Sequence, residues 1–220
     1  MSLKQKFNEQ ELQRIKTAVK DAEDKISGEI VPVIVEKSGF YTIAAYKGSM
    51  IAAAIAFSIV IVLDRYVFDA TNTLFYDPVF IFIVVLLAGV LGSFIPSAFR
   101  PLLRKLVSQR HLDHATRQRA ENAFLEEEIF NTRHRTGIMI FISLFEREVI
   151  VMADKGISKV VEQKVWDKLV IDLVSAIRTG KIVDGLEGAI QRCGEVLLEK
   201  GFHKTDDDTN ELSDDLRIDR

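Results

Sequence analysis

PVFIFIVVLLAGVLGSFIPSAF, residues 78–99, holds no charged side chain, and a helix of that length rises far enough to cross about 30 Å of hydrocarbon. Upstream lies a second such run, GSMIAAAIAFSIVIVL, residues 48–63, and its extension back to Thr42 admits only Lys47. A lysine at that depth can carry its ammonium to the interface on its own aliphatic stem. The two runs predict a transmembrane hairpin over residues 42–99, with spans at about Thr42 to Leu63 and Pro78 to Phe99. Asp64, Arg65 and Asp77 bound the spans, and Tyr66, Phe75 and Tyr76 fall where interfacial aromatics collect. The alternative, two core helices of a soluble protein, requires burial on every side by elements that are only moderately apolar. Gly89, Gly92 and Ser93 offer a small-residue surface for close helix packing, within the chain or between chains.

Moving outward, the basic residues are unevenly placed. The connection DRYVFDATNTLFYD, residues 64–77, carries one, Arg65, whereas Lys37, Lys47, Arg100, Arg104, Lys105 and Arg110 lie on the other side. Positive-inside bias then predicts an inner (plasma) membrane protein with two spans and both termini in the cytoplasm. Residues 1–41 and 100–203 share that compartment and are expected to form one domain around the hairpin. Residues 204–220 carry seven acids and three bases with little to bury, which predicts a disordered acidic tail. The rest of the chain is close to neutral, so no nucleic-acid partner is expected; the bilayer and a membrane or protein partner are. The single cysteine, Cys193, cannot form an internal disulfide and fits a core thiol. The N-terminus is charged and periodic, unlike a secretory signal.

In the soluble segments, Asn8 and Glu11 form a capping box, and Phe7 with Leu12 a hydrophobic staple. They open a helix whose stripe is Leu12, Ile15, Val19, Ala22 and Ile26. EIVPVIVE, residues 29–36, is β-branched and reads as a strand, and Pro32 predicts an edge or a bulge there. After the hairpin come a long helix over Leu102 to Phe130, strands over Gly137 to Leu144 and Glu148 to Ala153 at hairpin spacing, a helix over Ser158 to Arg178, and a last helix over Val183 to Glu199. This alternation predicts an α/β fold: a three-layer α/β/α sandwich with a small mixed sheet, interrupted by the hairpin.

These features resemble the TPM-domain family. The resemblance is carried by FNEQELQRIKTAVKDAEDKISGEI with Ser27-Gly28-Glu29, by RTGIMIFISL, by EREVIVMADKGI, and by Trp166, Gly180, Gly185-Leu186 and Gly194. It implies an α/β/α sandwich, often membrane-tethered, with phosphatase activity in some members and bound divalent cations in others. Secreted members place one anchor after the domain; this sequence inserts a hairpin inside it.

No P-loop, dinucleotide fingerprint, HExxH or GxSxG motif is present. The polar residues expected to converge stand at strand ends: Glu29, Arg133, Arg135, Glu146, Arg147 and Asp154. Asp154, beside Gly156 and before a helix, suits a divalent cation such as calcium or magnesium, an anion at the helix N-terminus, or else an ordinary turn-forming helix cap. Glu29 is a second metal-ligand candidate or an acid/base group, or else a solvated strand end. Arg135, with Arg133, could clamp a phosphate or face lipid. His134 reads as a surface residue, and the HLDH stretch with His111, Asp113 and His114 is a weaker metal candidate. Arg104, Lys105 and Arg110 are expected to meet lipid headgroups. Two functions follow as expectations: a cytoplasm-facing module that binds a cation or protein partner and supports membrane complexes, or a slow metal-dependent phosphomonoesterase using Asp154, Glu29 and Arg135.

Overall fold

The structure, a computed structural model, describes residues 3–66, 77–205 and 209–219. Helix α1 (Glu9–Glu23) starts at the capping box: Glu11 N–H donates to Asn8 Oδ1 at 2.7 Å, and Asn8 N–H donates to the Glu11 carboxylate at 2.8 Å. Its apolar stripe leads into β1 (Glu29–Val35). The chain then divides into two compact units, Met1–Gly39 with Asp113–Arg220, and Phe40–Leu112.

The first unit is built on a four-stranded sheet in the order β3 (Glu148–Ala153), β2 (Gly137–Ser143), β1, β4 (Arg217–Asp219). β1 and β2 are parallel, with Glu29 opposite Gly137, and β2 pairs antiparallel with β3. Both faces of the sheet are covered, which explains why β1 and β2 are apolar almost throughout. Ile30, Ile34, Ile138, Ile140 and Ile142 point into one core with α1, α7 (Lys164–Arg178) and α8 (Ile182–Glu199), while Val31, Val33, Val35, Met139 and Phe141 meet Ala120 and Ala123 of α5 (Gln109–Glu126). Full burial of each such side chain is worth about 1.5 to 3 kcal/mol. The expected three layers are therefore present. Cys193 sits in the first core, and burial pushes its thiol up to about 12.

Three expectations are corrected in detail. The long helix over 102–130 is two: α4 (Arg100–Leu106) ends at an extended Val107, and α5 begins after Ser108, whose carbonyl accepts from His111 N–H and whose hydroxyl meets His111 Nδ1. The helix expected over 158–178 starts only at Lys164 as α7, and the turn before it forms a single helical turn, α6 (Lys155–Ser158), capped by Asp154. The tail, expected to be disordered, is ordered over residues 209–219 and adds β4 (Arg217–Asp219), parallel to β1 with Val33 opposite Arg217. Ion pairs hold it: Lys16 to Asp215 at 2.9 Å and Arg217 to Glu127 at 2.9 Å.

Pro32 is tolerated for a reason that the short β4 makes clear. Glu29 N–H points to β2, donating to Thr136 O, and Ile30 N–H points the other way, to the Glu23 carboxylate. By alternation the Pro32 nitrogen also faces away from β2, one residue before β4 pairing begins. At that register β1 is an edge, as the proline requires.

The second unit contains α2 (Thr42–Tyr66) and α3 (Pro78–Ala98), with mean hydropathies of 1.9 and 2.7. Only 6% and 11% of these apolar windows is buried, which is the reverse of a soluble core helix. Both are long enough to cross a membrane. They run antiparallel and touch through small residues: a Cβ on Gly48 would lie 2.5 Å from Gly92 O, and one on Gly92 would lie 2.3 Å from Ala52 Cβ. The small-residue surface expected around Gly89 and Gly92 is thus used within the chain. Phe75 and Tyr76 lie outside the described residues.

Candidate functional site

At the end of the sheet where β1 and β2 begin, residues 132–136 form a tight loop. Arg135 N–H donates to Thr132 O at 3.1 Å and Thr136 N–H to the Thr132 hydroxyl at 2.9 Å. Arg135 takes a left-handed backbone, φ 57°, a conformation that costs a side-chain-bearing residue of order 1 kcal/mol or more. Gly156 clamps the loop from below. Its N–H donates to Arg135 O at 2.9 Å, and an added Cβ would approach the Arg135 and His134 carbonyls to 2.6 Å.

That backbone turns the Arg135 guanidinium onto Asp154, with Nε 2.6 Å from Oδ2 and Nη2 3.1 Å from Oδ1. Two parallel charge-assisted bonds of this kind are strong and directional. Asp154 is 5% exposed and also accepts Lys155 N–H at 2.7 Å as the cap of α6. The carboxylate raises the Arg135 pKa above its ordinary value. The Arg135 side chain as a whole is 47% exposed.

Glu29 stands on the other side of β2. Its register partner is Gly137, and Asp154 N–H donates to Gly137 O from the opposite strand. Two strand spacings, roughly 9 to 10 Å, therefore separate the backbones of Glu29 and Asp154. Glu29 is buried, and its carboxylate accepts the backbone N–H groups of Glu211 and Leu212 from the tail at 3.1 and 3.3 Å. As placed, the two carboxylates do not make one cation centre, and among the described residues no three ligating side chains gather in a metal-like group. That includes His111 and His114 of the HLDH stretch. Arg133 gives its N–H to the Glu211 carboxylate at 2.9 Å, and His134 is exposed. Glu146 and Arg147 lie at the far end of the sheet, about 20 Å of strand away. There Glu146 is wholly buried and accepts from Ser38 N–H and the Ser143 hydroxyl.

Two carboxyl groups not singled out from the sequence are the most perturbed. Glu23, at the last turn of α1, is 9% exposed; one oxygen accepts Ile30 N–H at 2.8 Å and the other has no hydrogen-bond partner among the described residues. Burial first, then the charges of Glu29 and Asp214, push it up to about 8, against the Ile30 hydrogen bond and Lys204. A sequence signal existed: an acid at a helix C-terminus opposes the macrodipole. Glu148 is raised to about 7 by burial and by its hydrogen bond to Asp113. Nothing in the local sequence announces that pair, which joins the start of β3 to α5.

Fold and site define a class: a three-layer α/β/α domain with a mixed sheet, interrupted by an apolar helical hairpin. More particularly, residues 106–196 match the family model of the TPM domain. The match runs from the end of α4 through most of α8; β1, before the hairpin, belongs to the same sheet as β2 and β3. The NMR structure of the BA42 protein from the psychrophilic bacterium Bizionia argentinensis is similar, with a TM-score of 0.58 at 18% identity over 97% of this chain and 95% of that one. That likeness shows the fold alone. No curated protein matches the chain.

Proposed function

We propose that this chain is a membrane-anchored TPM module whose α/β unit faces the cytoplasm and binds a protein partner, a divalent cation or both, in support of the assembly or upkeep of membrane complexes. The observation that carries the anchoring is the hairpin, in whose two apolar windows only 6% and 11% is buried. Leaving so much hydrocarbon in water is unfavourable by about 25 cal/mol per Å², whereas a bilayer accepts it. The basic residues around Lys47 and Arg100 to Arg110 support the inward orientation.

A second reading, a slow metal-dependent phosphomonoesterase, rests on Arg135, whose partly exposed side chain is held at a strand end by Asp154. A phosphate could meet its outer edge. Against it stands the commitment of Asp154 and Glu29 to internal partners, so a cation held by both would have to displace Arg135 and the tail. The binding reading needs no such rearrangement.

One preparation separates these readings. Full-length protein is expected to stay with membranes through alkaline carbonate, and reporters fused to either terminus should be active only on the cytoplasmic side. Purified protein should turn over a chromogenic phosphate ester no faster than its Asp154→Asn variant, which keeps the α6 cap. Turnover that needs added calcium or magnesium and is lost in that variant would favour the enzyme.

A further inference from the structure

The C-terminal segment, residues 209–219, closes over the end of the sheet where β1 begins, and most of its anchors tolerate other sequences. The Glu29 carboxylate takes the backbone N–H groups of Glu211 and Leu212. Leu212 packs against the core on the α5 face, and Leu216 and Ile218 against the core on the α1 face. Pairing with β1 spans three residues, Val33 to Val35. The Lys16–Asp215 ion pair is solvent-exposed on both sides, and such pairs hold weakly. A sheet edge that offers backbone groups for pairing and pockets for alternate aliphatic side chains is how an added strand is recognised.

One position of the segment does not match what lies beneath it. Asp214, 9% exposed, comes close enough to Glu23 for its charge to act there, and Glu29 does the same from β1. The other groups facing the Glu23 carboxyl are Ile30 N–H of β1 and Lys204, which follows α8. The Lys204 ammonium lies 3.4 Å from both the Glu23 carbonyl and the Asp24 carboxylate, so its hydrogen bonds fall beside the Glu23 carboxyl. Oε2 of Glu23 is buried with no hydrogen-bond partner among the described residues. Asp214 makes its own hydrogen bond within the segment, from Asn210 Nδ2. An acid thus sits over two buried acids and an unsatisfied oxygen, an arrangement that like-charge repulsion and desolvation both oppose.

We propose that the β1 edge, with Glu23 and Glu29 as its floor, is a docking site for an extended strand of a partner protein, and that residues 209–219 are the placeholder it displaces. The partner strand carries aliphatic residues in the places of Leu212, Leu216 and Ile218, and an amide or basic side chain in the place of Asp214. That side chain donates to the free Glu23 oxygen and removes the repulsion, which gives the partner its advantage over the resident segment. The same segment from a second copy would bring the same acid and gain nothing. This site deepens the protein-partner reading and rests on it.

The test uses full-length protein in detergent with Leu212→Ser and Leu216→Ser, which loosens the segment and leaves the dock intact. The probes are synthetic peptides of residues 209–219, one native and one with Asp214→Lys. The lysine peptide should bind about tenfold or more tighter, and the ratio should widen between about pH 6 and 9 as Glu23 ionises. Its binding should also slow hydrogen exchange at Ile34, whose N–H faces β4 by the alternation that turns Ile30 N–H to Glu23. In the otherwise native full chain, Asp214→Asn should raise the melting temperature; no gain overturns the mismatch and the proposal with it, even if the serine variant fails to fold. Equal affinities, or binding that leaves Ile34 unprotected, overturn the assignment of the site. A dimer of the serine variant with the native chain that the lysine peptide cannot break makes a second copy the occupant and overturns the partner. Absence of binding by either peptide, from protein that stays with membranes through carbonate, overturns the dock and leaves the membrane-anchored reading standing.

Discussion

Glu23 shows how one side chain can tie stability to pH. Its carboxyl has an ordinary pKa of 4.5 and is pushed up to about 8 in the folded chain, chiefly by burial. The folded state therefore holds a proton that the unfolded state releases. The stabilisation is fully present below about pH 4.5 and is lost as the pH rises through about 8. Glu23→Gln keeps an oxygen for Ile30 N–H and removes the ionisation. Thermal melts over about pH 5 to 9 should therefore show the variant gaining on the parent as pH rises, by several degrees at the alkaline end. Equal slopes would mean that Glu23 is charged and solvated. Such a residue is hard to find in the sequence, because its desolvation comes from β1 and the tail together. Asp154 is the opposite case: its helix-capping role was legible from Asp-Lys-Gly before an amphipathic run. Its bidentate partner was not, because that pairing depends on the left-handed backbone of Arg135.

β4 is three residues long and still decides how the edge of β1 behaves. Ile34 N–H, by the same alternation that sends Ile30 N–H to Glu23, faces β4, whereas those of Val33 and Val35 face β2. Truncation after residue 208 should therefore speed hydrogen exchange at Ile34 while Val33 and Val35 keep their protection. It should also lower the melting temperature, since the Lys16–Asp215 and Arg217–Glu127 pairs and the cover over Glu29 are lost together. Unchanged exchange at Ile34 would show that the strand does not form in solution. The tail's composition is that of a solvated segment, and only a waiting edge with matching charges makes it a strand. Helix ends show the same limit. The start of α1 was legible because its cap lies within four residues, whereas the break at Val107 and Ser108 contains neither glycine nor proline.

Over the whole molecule, the α/β unit has its own two cores and a sheet assembled from both sides of the hairpin. Replacing residues 40–112 by a flexible glycine-serine linker should yield a soluble protein that melts cooperatively, with near-ultraviolet dichroism from the buried Trp166. A non-cooperative product would show that the hairpin is needed for the domain to fold. By itself the sequence determined the local and one-dimensional properties: two hydrocarbon-length runs, the basic bias around them, the α1 cap, the apolar strands and the alternation that makes an α/β/α sandwich. These depend on periodicity and transfer energy, which neighbouring residues carry. Tertiary structure decided that β1 lies inside the sheet with the tail as its fourth strand, that Glu29 and Asp154 stand on opposite sides of β2, and that Glu23 is cut off from water. Each of these depends on residues distant in the chain meeting in space, and desolvation and strand order come into being only with that meeting.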